Sequence, residues 1–256
     1  MKNSYLLVQI SDIHLTASGS LRPGVRPREN LVRALRLLDT TGIRPDVFLL
    51  TGDLADAGES ACYDDLAGLL AEAASPNGAS VIYLPGNHDE RGTFHRHLLG
   101  GSGDGPVNQT HWQDGLRIIA LDSTVPGEDG GALAEETLSY LRSELGTPAP
   151  DGTIVALHHP PIPSPILPMT RMALRDPERL RDAIADSDVR LVLCGHNHHE
   201  ALGMLGRVPV WVSPASAYRL DTASTQTFHG VPGTAFSRVE LSDDGPSVTV
   251  IPVPVT

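Results

Sequence analysis

The sequence predicts an α/β fold organised as one domain over residues 1–256. Short apolar runs, typical of buried strands, alternate with longer segments in which leucine and alanine recur at helical spacing. Polar residues able to bind metals follow directly after five of these runs. Neither an internal repeat nor a linker-like stretch interrupts the alternation, so we expect one large core.

Nine apolar runs predict strands, at residues 5–10, 46–50, 80–83, 116–121, 153–157, 190–193, 208–212, 235–241 and 247–251. Four segments predict helices, at residues 28–40, 60–74, 134–145 and 177–185. The first of these helices has Leu31, Leu35 and Leu38 on one face and follows Pro27, which suits a helix start.

A proline-rich segment, 160–176, lies between a predicted strand and the last predicted helix. It is too irregular for a regular element and too apolar for a solvated linker. Its apolar residues show no periodic face; they are Ile162, Ile166, Leu167, Met169 and Met172. Because long loops inside compact domains are often functional, we predict that this segment forms a wall of the substrate pocket.

Composition and charge limit the classes of function. A net charge of −12, from 19 basic and 31 acidic residues, disfavours non-specific binding to nucleic acid. Lys2 is the only lysine, which argues against a Schiff base or a Walker-type phosphate loop. No apolar run reaches the roughly 18 residues of a membrane helix, and no signal sequence is recognisable, so we predict a cytoplasmic protein. Cys62 and Cys194 are expected to be buried thiols rather than a disulfide.

Five predicted strands end in residues that can bind metal ions. These residues are Asp12, His14, Asp53, Asn87, His158, His196 and His198. The carboxyl ends of strands in an α/β sheet form the rim where ligands bind, so we expect the seven side chains to meet. Two carboxylates, one amide oxygen and four imidazoles exceed the needs of one ion. They suit two transition-metal ions that share a carboxylate.

For several other polar residues, the sequence indicates a role less clearly. His95, His97 and His111 lie in a polar, glycine-rich stretch without a strand end, so we expect surface or structural roles. Asp89 and His199 neighbour candidate donors, and both supporting and solvent-facing roles remain open for them.

Taken together, the motifs Asp12-x-His14, Gly52-Asp53, Gly86-Asn87-His88-Asp89, His158 and Gly195-His196-x-His198 resemble the signature of the calcineurin-like metallophosphoesterases. The resemblance covers about residues 5–200. Within that superfamily, the segments 11–15, 84–89 and 158–161 are similar to those of bacterial class III cyclic-nucleotide phosphodiesterases. The resemblance implies a four-layer α-β-β-α sandwich of two mixed sheets.

The resemblance also implies roles for individual residues. One metal would be held by Asp12, His14, Asp53 and His198, and the other by Asp53, Asn87, His158 and His196. His88 would contact the phosphate and stabilise or protonate the leaving oxygen, and Asp56 would orient His88. A plain turn carboxylate is the alternative for Asp56.

We therefore expect a dinuclear phosphodiesterase that hydrolyses 3′,5′-cyclic nucleotides such as cyclic AMP through an activated bridging water. The expected cofactors are two divalent ions, above all Mn or Fe, with Zn or Co as alternatives. Alternative functions are a glycerophosphodiesterase or broad-specificity phosphoesterase with the same site, and a binding scaffold without catalysis. The expected partner is a small phosphodiester, with no nucleic acid and no membrane span, and a homodimer is left open.

Overall fold

Two mixed β-sheets lie at the centre of the computed structural model, which describes residues 4–21 and 24–254. The strands are β1 (Ser4–Ile10), β2 (Val47–Thr51), β3 (Ser80–Leu84), β4 (Gln109–Gln113), β5 (Leu116–Leu121), β6 (Thr153–Leu157), β7 (Val189–Cys194), β8 (Ala201–Leu205), β9 (Val208–Val212), β10 (Arg219–Leu220), β11 (Gly230–Val231), β12 (Thr234–Ser242) and β13 (Gly245–Val253). The α-helices are α1 (Pro27–Thr41), α2 (Ser60–Ala74), α3 (Arg91–Leu98), α4 (Glu135–Glu144), α5 (Leu167–Arg171) and α6 (Pro177–Ile184).

The strand order brings the predicted donor-bearing strands together. The first sheet has the order β13-β12-β1-β2-β3, and the second has the order β4-β5-β6-β7-β9-β8. Strands β1, β2 and β3 are parallel, as are β5, β6 and β7. Parallel neighbours end at the same edge of a sheet, so β1, β2 and β3 share one edge and β6 and β7 share another.

Alternation along the strands divides the core into layers. Tyr5 and Leu7 of β1 point into the core between the sheets, where they join Ile154 of β6. Val8 and Ile10 of the same strand point the other way, into a core beneath helices. Successive strand side chains face opposite sides, which is why one strand supplies two cores.

Helices cover the outer face of each sheet. Leu31 of α1, Leu66 of α2 and Phe94 of α3 pack onto the first sheet. Leu138 of α4 and Leu180 of α6 pack onto the second sheet. The predicted α-β-β-α sandwich of two mixed sheets is therefore confirmed.

Both cysteines are free and buried, as predicted. Cys62 lies beneath the helices of the first sheet, where burial, followed by the charge of Glu59, raises the pKa of its thiol to about 12. Cys194 lies in the outer core of the second sheet. Throughout the described ranges, no helix has both the length and the apolar character needed to cross a bilayer.

The sequence did not predict several short elements that are rich in polar residues. His95 and His97 lie on α3, and His111 lies on the edge strand β4, and neither element is among those that the sequence predicts. Helix α3 starts at the side chain of Glu90, which accepts hydrogen bonds from the amides of Gly92 (2.9 Å) and Thr93 (2.7 Å). Only Gly92 and Phe94 of this helix are buried, so its hydrophobic period is weak. Strands β8, β10 and β11 were also missed.

The segment 160–176 is more regular than we expected, because it contains α5. Near its start, Ile162 packs in the outer core of the second sheet. Further along, Ile166 and Met169 form a small apolar cluster with Leu220 of β10. The prediction of a segment without regular elements is therefore wrong, because tertiary contacts of its apolar side chains stabilise one short helix.

Candidate metal centre

The turns that follow the donor-bearing strands have an unusual backbone conformation. Among the described residues, seven non-glycine residues have positive φ, and five of them are predicted donors, namely Asp12, His14, Asp53, His196 and His198. Such conformations cost energy and persist only where surrounding contacts hold them. The amide of Asp12 donates to the carbonyl of Gly52 (3.0 Å), and the amide of His14 donates to that of Asp53 (2.8 Å). These hydrogen bonds fix the turns after β1 and β2 relative to each other.

A first group of donors consists of Asp12, His14, Asp53 and His198. These side chains are buried, and one potential ligand atom from each lies within 4.8 Å of the others. His14 Nε2 is 3.1 Å from His198 Nε2 and 3.6 Å from Asp53 Oδ2. His198 Nε2 is 3.5 Å from Asp12 Oδ1. This is the set that the family resemblance implied for one metal.

A second group surrounds the other side of Asp53. Its Oδ2 oxygen lies 3.4 Å from His158 Nε2, and that nitrogen lies 3.3 Å from His196 Nδ1. Asn87 Oδ1 is buried and has no hydrogen-bond partner among the described residues. Because Asp53 Oδ2 is close to both His14 and His158, it occupies the position of a shared carboxylate.

Hydrogen bonds orient three of the imidazoles. Nδ1 of His14 faces Asp56 Oδ1 (3.0 Å), Nδ1 of His158 faces the carbonyl of Thr51 (2.8 Å), and Nδ1 of His198 faces the carbonyl of Tyr218 (3.0 Å). Since each partner is an acceptor, Nδ1 carries the hydrogen and the Nε2 lone pair points into the cluster. Metal-binding histidines are commonly oriented in this way.

The donor chemistry of the cluster fits metal ions. With Nδ1 protonated, the Nε2 lone pairs of His14 and His198 face each other at 3.1 Å, an arrangement that a cation between them would stabilise. No residue in the described ranges donates a hydrogen bond to the buried oxygen of Asn87, which is costly unless something else binds it. Imidazole, carboxylate and amide oxygen are ligands for divalent transition metals.

Burial and mutual charge shift the pKa values of the cluster in opposite directions. Burial raises the pKa of Asp12 to about 6. Burial also opposes ionisation of Asp53, but the charge and hydrogen bond of His158 outweigh it and hold the pKa of Asp53 well below its usual range. Burial would lower the pKa of His158, whereas the carboxylate of Asp53 raises it to about 9. Protons and metal ions would therefore compete for these side chains.

His88 and Asp56 lie beside the first group. His88 is partly exposed, and its ring packs edge-on against that of His14 at a centroid distance of 4.7 Å. Its Nδ1 atom contacts the main-chain carbonyl of Asp56 at 2.8 Å, while the Asp56 carboxylate lies farther away at 3.5 Å. The carboxylate instead accepts from His14 at 3.0 Å. The predicted contact between Asp56 and His88 is therefore present, but its shorter part comes from the main-chain oxygen, while the carboxylate lies nearer to His14, a candidate metal ligand.

The role of Asp89, which the sequence left open, is visible in the structure. Its buried carboxylate accepts hydrogen bonds from the amides of Leu54 (3.1 Å), Ala55 (3.0 Å) and Gly86 (2.8 Å) and from the hydroxyl of Tyr63 (2.9 Å). These donors belong to the turns after β2 and β3 and to α2. Asp89 therefore links the turn that carries Asp53 to the turn that carries Asn87.

Two further histidines support the site. His159, which sequence reasoning passed over, lies between Ser123 Oγ (2.8 Å from Nδ1) and the carbonyl of Asp129 (3.2 Å from Nε2). Its ring is 4.6 Å from that of His196, and its position next to His158 was the one available signal. His199 Nε2 contacts Ser164 Oγ at 2.8 Å, which joins the turn after β7 to the segment 160–176.

Glycines allow the turns to approach closely. Gly52 has φ +90°, and a Cβ atom there would overlap the ring of His158. A Cβ atom on Gly86 would overlap the carboxylate of Asp53. Any side chain at these positions would displace two candidate donors.

The cluster opens into a cavity of about 390 Å³. Polar side chains form its floor, namely His14, Asp53, Asn87, His88, His196 and His198. Apolar side chains form its roof, namely Met169, Met172, Leu220 and Phe228. A larger cavity, of about 480 Å³, lies between α1 and α2 and contains none of the candidate donors. The chemistry of the donors, rather than the cavity volume, identifies the site.

No arginine or lysine in the described ranges lines this 390 Å³ cavity. Arg91, the basic residue nearest in sequence to His88, makes an ion pair with Asp122 at 2.8 Å. Arg219 makes an ion pair with Glu200. Within the described residues, a phosphate in this cavity would therefore contact the candidate metal centre and His88, but no bidentate arginine.

Residues 5–200 match the sequence profile of a family described as calcineurin-like phosphoesterase. This span includes all seven candidate donors. The chain belongs to the calcineurin-like phosphoesterase family. Membership confirms the predicted resemblance and makes the chain a phosphoester hydrolase, and together with the histidine–aspartate cluster it indicates a two-metal site.

Similar proteins agree with membership of the calcineurin-like phosphoesterases. The chain is 42% identical over 218 residues to a probable cyclic nucleotide phosphodiesterase from Rhodococcus erythropolis, a match that covers 85% of this chain and 72% of that one. It is 41% identical over 219 residues to a cAMP/cGMP dual specificity phosphodiesterase from Mycobacterium tuberculosis, covering 85% and 69%. Its fold is similar to that of a dimetal phosphatase from Danio rerio, with a TM-score of 0.64 at 15% identity over 98% and 99% of the two chains.

Proposed function

We propose that this calcineurin-like phosphoesterase hydrolyses 3′,5′-cyclic nucleotides. The observation that carries the proposal is the convergence of the candidate donors in two groups that meet at Asp53, with five of the seven donors and the exposed His88 lining one cavity. The two bacterial relatives, a probable cyclic nucleotide phosphodiesterase and a cAMP/cGMP phosphodiesterase, support the substrate class. A noncatalytic scaffold would be expected to lack donors, and all seven are present.

In this proposal Asp12, His14, Asp53 and His198 hold one metal ion, and Asp53, Asn87, His158 and His196 hold the other. Two bound divalent ions would supply Lewis-acid stabilisation of the phosphoryl group and lower the pKa of a bound water. Asp56 and the carbonyls of Thr51 and Tyr218 keep the histidine rings in their binding orientation.

His88 is assigned to the leaving group. Its Nδ1 atom donates to the carbonyl of Asp56, so its Nε2 atom is available to the cavity. From there, a protonated imidazole can donate a hydrogen bond to the phosphate and pass its proton to the ester oxygen as that oxygen leaves. The partial exposure of His88 suits a residue that touches substrate.

A hydrolysis panel tests the proposed substrate class. Cyclic AMP, cyclic GMP, glycerophosphodiesters and phosphomonoesters are compared at one metal loading. We expect the highest kcat/KM for the cyclic nucleotides. A higher value for glycerophosphodiesters would favour the alternative diesterase, and no turnover of any ester by metal-loaded protein would favour a scaffold.

Further properties are part of the proposal. Mn or Fe are the expected ions, with Zn or Co as alternatives because imidazole and oxygen ligands accept all four, and elemental analysis of the purified protein decides among them. A cytoplasmic location is consistent with two free, buried cysteines and is tested by cell fractionation. Size-exclusion chromatography with light scattering decides between a monomer and a homodimer.

A further inference from the structure

A cap covers the candidate metal centre, and it is built from two segments distant in sequence. We define the cap as residues 160–176 together with the β10–β11 ribbon and its connecting loop, residues 219–231. The amide of Leu167 in α5 donates to the carbonyl of Thr225 in the connecting loop at 2.8 Å. Ile166 and Met169 pack against Leu220 beneath them. These contacts join the two segments over the cavity.

Phe228 is the unusual residue of the cap. It lies in the connecting loop, is 52% exposed, and lines the same cavity as His88 and Asn87. A large aromatic side chain left half in water gains little from packing in the folded protein. Because Phe228 lines the cavity, a ligand bound there can pack against its exposed ring.

The cavity separates two kinds of chemistry. Its floor carries the donors and His88, which suit a phosphate, whereas Phe228 and its neighbours Met169, Met172 and Leu220 offer apolar surface. A phosphodiester held at the floor must direct one of its ester groups towards this roof. A planar, aromatic ester group would gain most there, because bases stack on aromatic side chains and thioethers pack well against rings.

We propose that Phe228 is a specificity-determining residue that stacks on the nucleobase of the substrate. This rests on the proposed function, since it assumes that the ester is a nucleotide. The phosphate is recognised at the floor, and the base is recognised by the cap. Phe228 therefore discriminates nucleotides from phosphate esters that lack a base.

Competitive inhibition isolates the contribution of the base. Hydrolysis of bis-nitrophenyl phosphate is measured in the presence of AMP or of ribose 5-phosphate, which shares the sugar and phosphate but lacks the base. We expect AMP to inhibit the wild-type protein roughly tenfold more strongly than ribose 5-phosphate, the order of magnitude of one base–aromatic stack. Phe228→Ala should remove this difference, and Phe228→Trp should keep it.

Leu167→Ala is the matched control. Leu167 belongs to the same cap and is 47% exposed, but it does not line the cavity. It should keep the AMP preference, and all variants should keep the metal content of the wild type. A preference that survives in Phe228→Ala, or is lost equally in Leu167→Ala, would overturn the role of Phe228.

The same measurements separate this inference from the proposed function. An AMP preference that depends on Phe228, without hydrolysis of cyclic AMP, would support the base subsite and contradict the cyclic-nucleotide activity. Hydrolysis of cyclic AMP with equal inhibition by AMP and ribose 5-phosphate would support the activity and overturn the base subsite.

Discussion

At the scale of single residues, Asp53 holds the two donor groups together. Its Oδ2 oxygen is 3.6 Å from His14 Nε2 and 3.4 Å from His158 Nε2. We expect Asp53→Asn to lower the occupancy of both metals, because an amide is a weaker and neutral ligand. Elemental analysis measures this, with Asp129→Asn as a control that changes a carboxylate of the same cavity outside the donor groups. Wild-type protein that binds at most one ion after reconstitution would contradict the two-metal site.

His88 should separate metal binding from catalysis. We expect His88→Ala to keep its metals and to lose turnover by roughly 10²–10⁴-fold, the usual contribution of general acid catalysis. The loss should be larger for diesters with poor leaving groups than for nitrophenyl esters, which need less protonation. Metal content and kcat are measured together, with His97→Ala as a surface control. Loss of metal in step with activity would make His88 a ligand.

Asp89 should stabilise the site through its four donors. Asp89→Ala leaves three buried amides and one hydroxyl without their acceptor, so we expect a loss of about 3 kcal/mol or more in the free energy of unfolding. Tyr63→Phe removes only one of the donors and should cost about 1 kcal/mol. Denaturant titration of both variants checks this order. Equal stability of the wild type and Asp89→Ala would show that these hydrogen bonds do not stabilise the turns.

At the scale of elements, we predict that the segment 160–176 forms a wall of the substrate pocket, and changing this segment tests the prediction. Met169 and Met172 line the cavity, and α5 is attached to the connecting loop at Thr225. Replacing α5 by a glycine-rich linker of the same length should raise KM or change the order of preference among diesters, with metal content unchanged. A lower thermal stability with the same order of substrates would instead indicate a packing role.

Elements differ in how far the sequence predicts them. Strands β5, β6 and β9 and helix α2 occupy the predicted ranges, because their apolar residues reflect burial directly. Helix α3 and strand β4 were missed because few of their side chains are buried. Helix α5 was missed because five residues carry too little periodicity, and contacts with Leu220 stabilise it instead.

At the scale of the whole molecule, charge predicts a preference for diesters over monoesters. The chain carries a net charge of −12, and no arginine or lysine in the described ranges lines the cavity. A monoester is largely a dianion at neutral pH and usually needs cationic groups that a diester does not. We expect kcat/KM to be higher for bis-nitrophenyl phosphate than for nitrophenyl phosphate, and higher for cyclic AMP than for AMP, at equal metal loading. A monoester advantage in both pairs would place the chain among the phosphatases.

The sequence by itself predicted nine of the thirteen strands that the structure describes, the seven candidate donors and their family signature. It could do so because each donor follows its strand directly, and strand ends are a local property of the chain. Only the tertiary structure decided that the main-chain oxygen of Asp56 orients His88, that Asp89 joins two turns, and that a cap with Phe228 covers the cavity. These arrangements depend on contacts between residues far apart in sequence, and local patterns do not encode which atoms of two distant segments will meet.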